Sequence, residues 1–135
     1  KLAELIAAQG GDRSVVDHPD LLPQPRMKLE IPSETSGYVA AIDAFEVGLA
    51  SRILGAGRTT KDGRIDPSIG IYLNKKIGDS VKTGETLAVL HSDGDNQKIK
   101  AARDKFLRAY AIGPDRVEPP KLLLARITGA GAEEL

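Results

Sequence analysis

The spacing of apolar positions changes several times along this chain, and each change marks an element. Leu2, Leu5, Ile6 and Ala8 recur at helical spacing until Gly10 and Gly11 stop them. Residues 1–11 are thus predicted to be the end of a helix with no second element of its own to bury against. The stretch "DHPDLLPQP" has no period and carries three prolines, which lack the amide a ladder needs. Residues 12–25 read as a proline-rich linker or strap over the next unit. From Met27 the period is two, with Met27, Leu29 and Ile31 alternating with Lys28 and Glu30. "SGYVAAID" supplies a second strand through Tyr38, Val39 and Ile42, after a turn spanning residues 32–37.

Helical spacing returns in "DAFEVGLASRILGAG". Asp43 is the expected N-cap, Phe45, Leu49, Ile53 and Leu54 are expected toward the core, and Gly55 or Gly57 is the stop. Gly48 weakens this helix by about 1 kcal/mol relative to alanine, which close packing of another backbone would explain. "RTTKDGRIDPS" is a polar loop with a Lys-Asp-Gly turn. "IGIYLN", "KKIGDSVKTG" and "ETLAVLHS" then read as strand, turn-rich connection and strand, with Ile77 and Val81 pointing inward. In "DNQKIKAARDKFLRAYAIG" the residues Ile99, Ala102, Phe106, Ala109 and Tyr110 share one helical face, and Gly113-Pro114 ends the element. "EPPKLLLARITG" is expected to be a last edge strand. Strands and helices mix without a βαβ rhythm, so the class is α+β. Residues 26–128 form the expected unit, and 129–135 a tail.

Composition narrows the chemistry. With 135 residues the chain matches one ordinary domain, and without cysteine it has no disulfide framework, thiolate metal site or thiol nucleophile. Nineteen basic and nineteen acidic side chains are interspersed. That gives no one-signed field for nucleic acid or a membrane surface. No apolar run reaches the roughly 18 residues of a membrane span, and no signal-peptide order is present. The chain reads as soluble and cytoplasmic. It starts at helical spacing without an initiator Met, like a cut through a longer polypeptide.

Few side chains are placed for chemistry. The element "GDxVxxGxxL", here Gly78, Asp79, Val81, Gly84 and Leu87, resembles a turn of biotinyl and lipoyl carrier domains, which raises the question of whether Lys75 or Lys76 is a carrier arm. Carriers present their lysine on a hairpin tip well away from that turn, so these lysines read as a strand end. "GAGRTTKDGR" lacks the Walker A spacing. Its glycines follow a helix, at the end where an anion is disfavoured, and Asp62 and Asp66 offset Arg58, Lys61 and Arg64. His18 and His91 have no partner at metal-ligand spacing. Ser51, Ser80 and Ser92 lack a nucleophile elbow. The pairs Asp93/Asp95 and Glu133/Glu134 read as a helix entry and a frayed tail. No catalytic, cofactor-binding or metal residue is assigned.

Six phrases in order, "AAQGGD", "VVDHPDLLP", "SGYVAAIDA", "GLASRILGAGR", "IDPSIGIYLNKKIGDSVKTGETLAVLHS" and "EPPKLL", resemble the C-terminal third of pyrimidine-nucleoside phosphorylases, the family that includes thymidine phosphorylase. The likeness runs from Leu2 to Ile127. It implies an α/β-hammerhead, barrel-sandwich-like C-terminal domain with two main helices. It implies a parent reaction in which inorganic phosphate displaces the base of uridine, thymidine or deoxyuridine, giving (deoxy)ribose 1-phosphate. The family's glycine-rich phosphate loop and its base-holding Arg, Ser, Lys and His are not matched here. The resemblance thus implies an inactive structural domain without a cofactor, whose partners are upstream α and α/β domains of one polypeptide of about 430 residues. It further implies that the parent is a homodimer built mainly through the helical domain. The competing readings are a carrier-like module and a free-standing interaction domain.

Overall fold

The computed structural model describes residues 1–58, 61, 63 and 65–135. Helix α1, Leu2–Ala8, buries none of its residues. It ends as the glycines require: the Gly10 and Gly11 amides donate to Ala7 and Ile6 carbonyls at 3.0 and 2.9 Å, with Gly10 at φ +80°. Two 3-10 turns follow, Arg13–Val16 and Pro19–Leu21, and neither buries a residue.

The main unit has two three-stranded antiparallel sheets. One, in the order β1-β5-β3, joins Met27–Pro32, Thr86–Ser92 and Gly70–Leu73. The other, β4-β2-β6, joins Ser80–Val81, Gly37–Ile42 and Tyr110–Gly113. The two strands expected around the turn at 32–37 therefore do not pair with each other. Pro32 has no amide to continue a ladder. The Ser33 hydroxyl donates to the Thr35 carbonyl at 2.6 Å, folding the chain across to the second sheet. Two helices complete the unit: α2, Ala44–Ser51, which continues into a wider π turn over Arg52–Ala56, and α3, Asn96–Ala109. The α+β class expected from the sequence is the class the chain adopts.

The core lies where the inner face of β1-β5-β3 meets the helices. Ile31, Ala88 and Leu90 from the sheet pack with Leu54 from α2's continuation and with Ile99, Ala102 and Phe106 from α3. Phe106 is fully buried, with its ring tilted against Tyr110 at 4.9 Å between centroids. Asp43 and Asp95 cap the two helices, each carboxylate accepting from the two amides that follow within three residues.

Three expectations change. Phe45 is 72% exposed, because the Asp43 cap turns the first residues of α2 outward and Ala50 and Leu54 take the buried face. Gly48 is also exposed, and a Cβ there would meet nothing within 4 Å, so no backbone packs on it and nothing in the structure explains the glycine. Helix α3 stops at Ala109, and Tyr110 begins β6 instead of ending the helix. Pairing of Tyr110–Gly113 with β2 supplies backbone bonds that a further helical turn would forgo.

At the C-terminus the expected edge strand shrinks to β7, Ala125–Thr128, which pairs with β8, Gly131–Glu134. The residues expected to be a tail thus hold a strand of this hairpin. Every residue of both strands is exposed.

Candidate functional site

The Gly-Asp turn that raised the carrier question is sewn into the fold. The Gly78 amide donates to the Val39 carbonyl, and the Val39 amide to the Asp79 carbonyl, both at 2.9 Å. The Asp79 carboxylate accepts from the Lys76 amide at 2.7 Å. Gly78 sits at φ +91°, and a Cβ there would come within 2.9 Å of the Val117 carbonyl oxygen and 3.1 Å of Pro119 Cδ. Glycine is required twice over, for its backbone angle and for the chain segment laid against it.

Lys75 is held, not projecting. Its ammonium donates to the Ser80 carbonyl at 2.9 Å and pairs with Glu85 at 2.6 Å. The Tyr110 hydroxyl donates to the Lys75 carbonyl at 2.8 Å. The Lys75 hydrogen bond, followed by the Lys82 amide, holds the Glu85 carboxyl below its ordinary range. Burial, then the Asp79 charge, pushes the Tyr110 phenol up to about 12. Such a lysine locks a turn; a carrier arm would have to leave these partners. Lys76 is exposed, and it forms no ion pair among the described residues.

The other sequence candidates do not converge. Among the described residues no group of three or more His, Asp or Glu could hold a metal ion. His91 is half-buried in β5, and burial with the neighbouring Lys28 charge depresses its basicity. His18 lies exposed on the strap. Asp93 accepts from the Asp95 amide at 3.0 Å and pairs with Lys98 at 3.0 Å, an internally satisfied helix entry. Of the loop "GAGRTTKDGR", residues 59, 60, 62 and 64 lie outside the described residues, including the Arg64 and Asp62 of the anion reading. Arg58 and Lys61 are exposed, and the Asp66 carboxylate accepts from the Ser68 amide and hydroxyl at 2.9 and 2.7 Å. Ser92 is buried with its hydroxyl near Asp93 and the Gly94 amide; Ser80 and Ser51 lie apart from it, in β4 and α2.

One concave surface was not anticipated. A groove of about 440 Å³ is lined by Ile42, Ala44, Leu73, Lys76 and Ile77. Pro119, Pro120 and Leu122 line it as well, from the segment laid against Gly78. Its signal in the sequence was divided: Ile77 read as inward-pointing, and the Pro-Pro-Lys-Leu-Leu-Leu run as the start of an edge strand.

Residues 38–113, spanning the sheet β4-β2-β6, α2, the Gly-Asp turn and α3, match the family described as pyrimidine nucleoside phosphorylase C-terminal domain. The chain belongs to this family. The pyrimidine-nucleoside phosphorylase of Staphylococcus aureus strain USA300 is 48% identical over 128 residues, covering 95% of this chain. Its counterpart in strain MSSA476 is 48% identical over 123 residues, covering 91% of this chain. The chain spans only 29% and 28% of the length of those two proteins. In this phosphorylase C-terminal domain the Gly-Asp turn is tied internally through Lys75.

Proposed function

We propose that this chain is the C-terminal support of a pyrimidine-nucleoside phosphorylase and does not itself carry the reaction. The observation behind this reading is the 48% identity across 95% of the chain to phosphorylases of which it spans 29%. The parent reaction is attack of inorganic phosphate on the anomeric carbon of a pyrimidine nucleoside, with release of the base and formation of (deoxy)ribose 1-phosphate. Such a transition state needs converging cations for phosphate and donors for the departing base.

Charge pairing supports placing those groups upstream. Lys75, Lys98, Lys105 and Arg126 each have a carboxylate within 3.0 Å. The groove carries one lysine among apolar walls. Residues from 26 onward form the working unit, the hairpin of Ala125–Thr128 and Gly131–Glu134 included, 1–11 belong to a preceding domain, and 12–25 are the strap between them. The parent is a cytoplasmic homodimer that needs no cofactor beyond its substrate phosphate, and the role of this unit is to brace the domain that moves over substrate.

The test is phosphate-dependent release of uracil or thymine by the longer polypeptide that contains this chain. Stoichiometric pentose 1-phosphate is expected, together with a dimer in sedimentation. A longer polypeptide that splits neither uridine nor thymidine contradicts the reading.

A further inference from the structure

We propose that the groove between the Gly-Asp turn and a second, C-terminal strap, residues 117–122, is the seat of the upstream part of the same polypeptide, which inserts an apolar segment with a carboxylate facing Lys76. This rests on the reading of the chain as one part of a longer phosphorylase and names where the rest is seated.

The groove is preformed. One wall is the ends of β2 and β3, fixed by their sheets, and the other is held against Gly78 by the close approach of Val117 and Pro119. Further apolar side chains near it in sequence are exposed. Leu122, Leu123 and Leu124 are 96%, 69% and 72% exposed, and Phe45, next to the lining residue Ala44, is 72% exposed. Exposed apolar side chains beside an apolar groove mark an interaction surface.

Length, charge and symmetry together favour one occupant. More than twice as much chain lies outside the match in the Staphylococcus aureus relative as inside it. Among the described residues the only charged side chain lining it is that of Lys76, which has no ion pair there, so the complementary surface is apolar with an acidic side chain. A second copy with its own groove centred on the two-fold axis would instead bring one Lys76 toward the other, an unfavourable contact.

The test compares amide exchange in this chain and in the longer polypeptide, with Leu122→Glu and Lys76→Glu made in both. In the longer polypeptide the amides of residues 121–124 are expected to exchange at least about tenfold more slowly than in this chain, because docking removes local opening. Leu122→Glu should restore fast exchange there while leaving the melting of this chain unchanged, and Lys76→Glu should do so in part. Equal exchange in both polypeptides overturns the proposal, even where the longer one phosphorolyses nucleosides. Protection in a longer polypeptide that lacks phosphorolysis supports the seat and removes the phosphorylase reading instead. A dimer of this chain that Leu122→Glu dissolves overturns the proposal in favour of a second copy.

Discussion

Residues 27–113 and the segments on either side of them spend their leucines in opposite ways. In the main unit Leu54, Leu87 and Leu90 are at most 1% exposed, whereas Leu2, Leu5, Leu21 and Leu22 before it and Leu122–Leu124 after it are all at least 49% exposed. The polar groups follow the same division. Inside the unit every buried side-chain polar atom among the described residues has a partner, down to the Lys75–Glu85–Ser80 tie and the Tyr110 hydroxyl. The contrast teaches that the unit is stable by its own packing, while the ends carry apolar surface suited to burial against something else.

The sharpest way to break that contrast is at the core. Phe106→Ala should cost about 3–5 kcal/mol in chemical denaturation, because the site is closed on all sides and cannot collapse. A cost near that of a surface change would mean that the unit is not packed as described.

Gly78→Ala comes next, at about 1–3 kcal/mol, since the new methyl meets both an unfavourable φ and the Val117 carbonyl. The loss should be accompanied by faster amide exchange at residues 117–121, because the strap is pushed off the turn. Strain without release of the strap would separate the two roles of this glycine.

How far the sequence could be read follows from the range of the interactions involved. The alternation in Met27–Ile31 and the helical face Ile99–Phe106 were legible, because each buries one side of a single element against the core. The helix caps Asp43 and Asp95 are local too, and the sequence marked Asp43 as a cap and the Asp93/Asp95 pair as a helix entry. What was not legible depended on distant partners: the separation of β1 and β2 into different sheets, the conversion of Tyr110–Gly113 from helix to strand, and the outward turn of Phe45. The groove joins Ile77 to Leu122 across the strap, so no window of sequence contains it. The lysine question fell between these cases. Spacing gave a strand end, whereas the tie of Lys75 to Glu85 and Ser80 required the fold.

Tyr110→Phe is a smaller perturbation. Loss of the bond to the Lys75 carbonyl should cost about 1 kcal/mol near neutrality. The phenol's ionisation is raised from 10.0 to about 12 on folding, so the unfolded chain loses its proton first. Stability linked to this group is complete below pH 10 and lost as pH rises toward 12. Denaturation midpoints followed over that window should fall in the parent sequence and flatten in the variant. The acid side has the opposite sign: Glu85 and Asp93 are held low, so their contribution is present above the ordinary carboxylate range and fades as pH falls through their depressed values.

The smallest effect is expected at the ends. Leu122→Glu in this chain should move stability by no more than about 0.5 kcal/mol, since the side chain touches solvent almost everywhere. A large loss would show that the C-terminal leucines already have a partner within the chain, and the contrast between unit and ends would fail.

The central claim is that this unit supports a phosphorylase whose reacting groups lie elsewhere. It is tested most directly by incubating the 135-residue chain alone with phosphate and uridine or thymidine and following release of the free base. No release above the enzyme-free control is expected; phosphate-dependent release that scales with the amount of this chain would contradict the account.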